Sequence, residues 1–184
     1  NAPDRLTAIR QFILADSADA RTEALKRLKE VQKKDFIDIF KALKGMPIII
    51  RLLDLPLHEF LPAGETAEPA VKQRLQELRE VNPMLGHRGV RLAVTYPELY
   101  RMQLEAIHEA LQEAPADVSI MVPQVITVKE LQWVKRMLPD PCIKLGIMME
   151  TVQKIVQTMI AQAKLDQEGQ GAVRIRLTVS RMIV

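Results

Sequence analysis

The stretch MPIIIRLLDLPLHEFLP, from Met46 to Pro62, decides the fold class that this sequence predicts. Its first half, Pro47 to Leu53, is apolar at nearly every position, which is typical of a strand covered on both faces, as parallel strands are. One arginine, Arg51, lies near the end of that strand, although a guanidinium group never loses its charge. A permanent cation at the end of a buried strand indicates a binding site there.

The pattern of strand, loop and helix returns along the chain after residue 46. Further strands are predicted at 118–123 and 142–150, and a short one within 82–94. Right-handed βαβ units of this kind predict an α/β fold in which parallel strands alternate with helices, either a (β/α)8 TIM barrel or a doubly wound sheet. In both architectures the functional groups lie at the carboxyl ends of the strands. Helices are predicted at 4–15, 69–80, 97–114, 127–138 and 151–165, with two further helical stripes at 24–31 and 36–43.

Length and composition limit the class of protein. The 184 residues, 48% of them hydrophobic, are enough for one globular domain with its own core. The 26 basic and 23 acidic residues are interleaved and leave a net charge of +3, without the continuous basic stripe that nucleic acid selects. No apolar run approaches the roughly 20 residues that span a bilayer. We therefore expect neither a nucleic-acid partner nor a membrane.

Two further features indicate the setting of the chain. A single cysteine, Cys142, excludes an internal disulfide and a cysteine-based zinc cluster, so we expect a reducing, cytoplasmic environment. The sequence begins at Asn1 without a signal-peptide pattern. We expect it to be an internal piece of a longer chain.

Three charged residues lie at or near the ends of predicted strands. Arg51 ends the first, Arg88 belongs to GHRG, and Glu150 ends LGIMME. Two converging guanidinium groups would form a fork that suits phosphate, or phosphate together with carboxylate. A nearby carboxylate would suit Mg²⁺, which prefers oxygen ligands. The alternative for Arg51 is a structural ion pair with Asp54 or Glu59, and we assign no side chain a catalytic role.

Longer motifs around these residues resemble a known family. NPMLGHRGVRLAVTYPELYRMQLEAIHEA, at 82–110, resembles the signature region of the pyruvate phosphate dikinase family of phosphoenolpyruvate-utilising enzymes. IRLLDLPLHEFLP, at 50–62, resembles an earlier strand and loop of that family, with Leu55 in place of a second proline. LGIMME resembles its GxMxE strand. The resemblance predicts that residues 1–150 form part of a phosphoenolpyruvate- and pyruvate-binding TIM-barrel domain, whereas 151–184, a helix and a strand-like tail, do not match.

The resemblance implies a function and roles for the three residues. The family interconverts pyruvate and phosphoenolpyruvate, converting ATP, pyruvate and phosphate to AMP, phosphoenolpyruvate and pyrophosphate. Arg51 and Arg88 would hold the phosphate and carboxylate of phosphoenolpyruvate, and Glu150 would ligate Mg²⁺. The phosphohistidine and ATP-binding domains of the full enzyme are missing here, so we expect the chain to be inactive by itself.

A partial barrel leaves strand edges unpaired, so other readings stay open. We expect either a homo-oligomer or an edge covered by the tail, in which Val173, Ile175, Leu177 and Val179 alternate with polar residues. Two other functions are compatible with the motifs. The chain could be a non-catalytic binding or oligomerisation module, or a fragment of phosphoenolpyruvate synthase.

Overall fold

A parallel sheet with packed helices forms the part of the chain that the computed structural model describes, which is residues 3–15, 17–54, 60, 69–78 and 86–148. The α/β class predicted from the sequence is confirmed. The elements in chain order are α1 (Pro3–Leu14), α2 (Ala18–Ala42), β1 (Ile48–Arg51), α3 (Pro69–Leu78), α4 (Val90–Thr95), α5 (Pro97–Glu113), β2 (Val118–Val122), α6 (Val128–Lys135) and β3 (Lys144–Ile147).

The three strands lie in the order β1-β2-β3, and both pairs are parallel. Arg51 is in register with Met121, which is in turn opposite Gly146. A closed (β/α)8 barrel needs eight strands, so these three strands are compatible with part of a barrel without making one.

The two faces of the sheet differ in burial. Ile48, Ile120 and Leu145 point to the face that packs into the hydrophobic core with the helices. Ile49, on the opposite face, is 50% exposed. The prediction of strands covered on both faces therefore holds for one face only among the described residues.

The prediction of a strand within 82–94 is wrong for residues 86–94, the part of that stretch that the structure describes. Residues 86–89 form a loop, and α4 begins at Val90. The apolar positions of VRLAVT fit a strand as well as a helix, and tertiary packing decides for the helix because α4 contacts both α5 and α6. Arg88 consequently lies in a loop before a helix, not on a strand next to β1.

The two helical stripes predicted at 24–31 and 36–43 belong to one helix, α2, of 25 residues. The polar stretch between them contains neither glycine nor proline, so nothing in it interrupts the helix. The Ser17 side chain accepts a hydrogen bond from the Ala20 N–H and caps the first turn. α2 packs along α1 and α5, which makes it the main support of the helical layer.

The helices predicted at 97–114 and 127–138 are confirmed. α5 has Pro97 in its first turn and spans nearly the whole predicted range. Thr127 and Glu130 form a reciprocal capping box at the start of α6. Within the described residues, no helix is long and apolar enough to cross a membrane.

Several predictions concern residues outside the described ranges. They are the helix at 151–165, the alternating tail at 173–180 and Glu150 at the end of LGIMME. The proposed boundary at residue 150 lies there as well, and all of these stay predictions.

Candidate functional site

The carboxyl ends of the three parallel strands meet at one edge of the sheet, where the sequence predicts the site. Arg51 is the last residue of β1. Met148 follows β3 and donates its N–H to the Val122 carbonyl, and Pro123 follows β2 and accepts the Val90 N–H. The loop that carries Arg88 is thus fastened to the end of β2, beside Arg51.

Asp54 is the buried centre of this edge. Its side chain is only 4% exposed, and its carboxylate contacts the Arg88 guanidinium group at two points. Arg88 Nε donates to Oδ1 at 3.1 Å, and Arg88 Nη2 lies 3.1 Å from Oδ2. Such a two-point pair fixes the plane of the guanidinium group as well as its position.

Arg51 approaches the same carboxylate from the strand. Its Nη1 lies 3.8 Å from Asp54 Oδ2, within ion-pair range but longer than a hydrogen bond. The same nitrogen is 4.0 Å from the Met148 sulfur. Its side chain is 52% exposed, against 18% for Arg88, so Arg51 is the member of the Arg51–Asp54–Arg88 cluster that solvent or a ligand reaches most readily.

Gly89 allows the Arg88 loop to come this close. Its φ is +60°, a conformation that residues with a Cβ rarely adopt. A Cβ placed there would lie 2.8 Å from Gln124 Cβ and 3.0 Å from Asp54 Oδ1. Gln124, which is itself buried and has a φ of 61°, therefore lies directly against Gly89. Glycine is therefore required at position 89 because the backbone there approaches Gln124 and Asp54 closely.

Two side chains of helix α5 bind the backbone next to the cluster. The Leu53 N–H donates to Gln103 Oε1 at 3.0 Å, and Tyr100 OH donates to the Leu53 carbonyl at 2.7 Å. Burial, followed by the charge of Asp54, raises the pKa of Tyr100, so its hydroxyl remains a donor. These contacts hold Leu53, which directly precedes Asp54.

The charges of the cluster suit an anion. Two guanidinium groups and one carboxylate leave a net positive charge at the edge where strand ends converge. Asp54 orients Arg88 by its two contacts. The exposed Arg51 is a second cation, available to a ligand. Guanidinium groups bind phosphate and carboxylate by paired N–H donors, so an anion with two charged ends fits the chemistry of this edge.

No group of three histidine, cysteine, aspartate or glutamate side chains that could hold a metal occurs among the residues that the structure describes. Asp54, the carboxylate at this edge, already accepts from Arg88. Glu150, the predicted ligand, lies outside the described residues.

Arg51 and Arg88 both reach Asp54, and the structural ion pair between Arg51 and Asp54, the alternative for Arg51, is present. The ligand-binding roles of the two arginines stay predictions. Sequence reasoning gave Asp54 no part in the site beyond that pair, and it missed Tyr100 and Gln103. An acid three residues after a strand-ending arginine was a usable signal for Asp54. Nothing in the helical pattern of α5 distinguishes Tyr100 and Gln103 from core residues.

Comparison with known proteins places the chain in a family. The chain matches the profile of the family described as PEP-utilising enzyme, PEP-binding domain, over residues 10–164. It is 48% identical over 149 residues to pyruvate, phosphate dikinase of Clostridium symbiosum, which covers 72% of this chain and 17% of that protein.

Other relatives give the same result. The pyruvate, phosphate dikinase of Treponema pallidum is 42% identical over 151 residues, covering 70% of this chain and 17% of that protein. The protein of the same name from Entamoeba histolytica is 35% identical over 201 residues, covering 92% of this chain and 23% of that protein. The chain thus spans less than a quarter of the length of these relatives. With most of its residues inside the matched profile, this chain belongs to the family of PEP-utilising enzymes, in their PEP-binding domain.

Proposed function

We propose that this chain binds phosphoenolpyruvate and pyruvate as part of a pyruvate phosphate dikinase, a phosphotransferase that interconverts these two compounds. In the full enzyme, ATP, pyruvate and phosphate would give AMP, phosphoenolpyruvate and pyrophosphate. The observation that carries the proposal is the convergence of Arg51 and Arg88 on Asp54 at the carboxyl edge of the sheet. Family membership and the names of the relatives support it.

Phosphoenolpyruvate carries a phosphate and a carboxylate, and the cluster offers one exposed and one oriented guanidinium group. We assign Arg51 and Arg88 to these two ends of the ligand. Charge moves between the phosphoryl group and the enolate oxygen during the reaction, and fixed cations stabilise it without reorganising. The contribution of these residues is then positioning and electrostatic stabilisation, as is general for phosphoryl transfer.

Mg²⁺ is part of the proposal, with Glu150 as one ligand from the strand that resembles GxMxE. When bound, a divalent cation neutralises charge on ligand oxygens. The carboxylate described at this edge, Asp54, is paired with Arg88 and is not assigned to the metal.

The phosphohistidine and ATP-binding domains would be the partners of this chain. We propose a cytoplasmic location, although relatives in Oryza sativa and Arabidopsis thaliana are named chloroplastic.

Calorimetric titration of the 184-residue chain with phosphoenolpyruvate and Mg²⁺ tests the proposal. We expect binding without turnover. Arg51→Ala should weaken binding about ten- to a hundredfold, since a hydrogen bond to a charged group contributes roughly 1.5–3 kcal/mol. Arg88→Lys should weaken it as well, because an ammonium group cannot make the two-point contact with Asp54.

Arg101→Ala is the matched control, because Arg101 is an exposed arginine on α5. Its affinity for phosphoenolpyruvate should equal that of the unchanged chain. Absence of binding by the unchanged chain, or equal affinities in all variants, would contradict the assignment.

A second candidate function is a non-catalytic binding or oligomerisation module. The observation that favours it is the half-exposed face of β1, which pairs with β2 alone among the described strands. A fragment of phosphoenolpyruvate synthase is the remaining alternative, and the matched relatives, named dikinases, favour it less.

A further inference from the structure

The peptide units between Arg51 and Asp54 are held by side chains of α5. The sheet ladder reaches Leu52, whose N–H donates to the Met121 carbonyl. At Leu53 both backbone groups turn to α5 instead, the N–H to Gln103 and the carbonyl to Tyr100. A single residue thus links the strand to the buried carboxylate.

Tyr100 and Gln103 are placed for this contact by the core. Tyr100 has no exposed surface, and Gln103 is 9% exposed. Tyr100 lies 47 positions after Leu53 in the chain, and Gln103 lies 50 positions after it. Buried backbone groups need partners, and two side chains that satisfy both groups of one residue also remove its freedom to rotate.

We propose that Tyr100 and Gln103 are positioning residues of the anion site, which by holding Leu53 place Asp54 between the two guanidinium groups. The inference rests on the proposed function for its effect on ligand binding, but its structural part does not depend on a ligand. Without these two contacts, the backbone before Asp54 would be free to move, and the Asp54 carboxylate would no longer be held at Nε and Nη2 of Arg88.

The decisive measurement is the NMR signal of the Arg88 Nε–H group, assigned by its loss in Arg88→Lys. This group donates to Asp54, so its hydrogen exchange reports the position of the carboxylate directly. We expect exchange to become faster in Tyr100→Phe and in Gln103→Met, which each remove one contact while keeping the size of the side chain. We expect the dissociation constant for phosphoenolpyruvate to rise about three- to tenfold in both variants.

Two matched controls come from the same region. Tyr96→Phe removes a hydroxyl at the N-terminal boundary of α5, and Gln112→Met removes an amide from its exposed face near the other end. Both should leave the Arg88 signal and the affinity unchanged. A melting midpoint for each variant shows that it is folded. If only one of Tyr100→Phe and Gln103→Met folds, that variant by itself is sufficient for the test.

Each outcome decides a different point. An Arg88 signal that is unchanged in the folded variants would overturn the proposal, as would a changed signal with unchanged affinity for phosphoenolpyruvate. If the unchanged chain does not bind phosphoenolpyruvate while the variants alter the Arg88 signal, the proposed function fails and the positioning of Arg88 by α5 remains supported.

Discussion

Asp54 shows how one buried carboxylate can organise two cations. It accepts from Arg88 at two atoms and lies within ion-pair range of Arg51. Burying a charge is costly unless it is paired, and here the pairing partner is a predicted ligand-binding residue. The same contact that stabilises Asp54 therefore sets the direction of Arg88. The approach of the two residues depends in turn on the small size of Gly89.

Gly89→Ala should disturb this site more than an ordinary glycine substitution. The added Cβ meets Gln124 and Asp54 at 2.8–3.0 Å, and the backbone is already in a region that favours glycine. We expect a loss of unfolding free energy of at least about 2 kcal/mol from strain and crowding together, measured by urea denaturation. Weaker binding of phosphoenolpyruvate should accompany it.

Gly45→Ala is the matched control for Gly89→Ala. Gly45 also has a positive φ, +84°, but nothing lies within 4 Å of a Cβ built there. Its substitution should cost only the conformational strain of about 1–2 kcal/mol. Equal losses in the two variants would show that close approach at Gly89 has no effect.

At the scale of elements, a row of ion pairs joins α2 and α5 in addition to their apolar contact. Lys29 lies between Glu105 and Glu109, at 2.9 and 2.7 Å, and Lys33 lies between Glu109 and Glu113, at 3.5 and 2.7 Å. The hydrogen bond to Glu109 is the main cause that raises the pKa of Lys29, and the same bond lowers the pKa of Glu109. The row links the helix that bears Tyr100 and Gln103 to α2.

Glu109→Gln should make the stability of the protein less dependent on pH. The pKa of Glu109 is lowered from 4.5, so its contribution is present above that value and lost as the pH falls through the folded pKa. The pKa of Lys29 is raised from 10.5, so its contribution is present below that value and lost as the pH rises through the folded pKa. We expect a loss of about 0.5–1 kcal/mol at pH 7, because the groups are partly exposed.

Urea denaturation at pH 4, 7 and 11 measures this effect. The difference between Glu109→Gln and the unchanged protein should be largest at pH 7. Glu23→Gln is the control, because the Glu23–Arg27 pair on α2 is about 60% exposed on both sides and should contribute little. A constant difference at all three pH values would show that the row is not ionic in origin.

The described part of the molecule is organised around a sheet with one buried face and one partly exposed face. β1 and β3 lie at its two edges among the described strands, and unpaired strand edges associate readily. The half-exposed Ile49 lies on the partly exposed face of the edge strand β1. We propose that copies of the chain associate through this side of β1.

Ile49→Lys should reduce this association, because a lysine on an edge strand opposes pairing with another strand. Analytical ultracentrifugation of the unchanged chain is expected to show a dimer or larger species, and the variant a smaller one. Val94→Lys, at a 55% exposed position on α4, should leave the assembly unchanged. A monomer for the unchanged chain at all concentrations would contradict the proposal.

The sequence alone determined the α/β class and the positions of α5, β2 and α6. It also singled out Arg51 and Arg88 as candidate ligand-binding residues, which stays a prediction. These follow from local patterns: continuous apolar runs, capping residues, and family motifs around the two arginines. The path of 86–95 and the continuity of α2 were not determined in this way, because their periodicity fits more than one structure and packing chooses between them.

Only the tertiary structure decided what surrounds the arginines. Asp54 as their shared partner, and Tyr100 and Gln103 as the residues that hold Leu53, depend on contacts between residues 34 to 50 positions apart. No local pattern encodes such contacts, because they arise when α5 packs under the end of β1. Periodicity tells which side chains of α5 are buried, and the fold alone brings two of them to the backbone of the site.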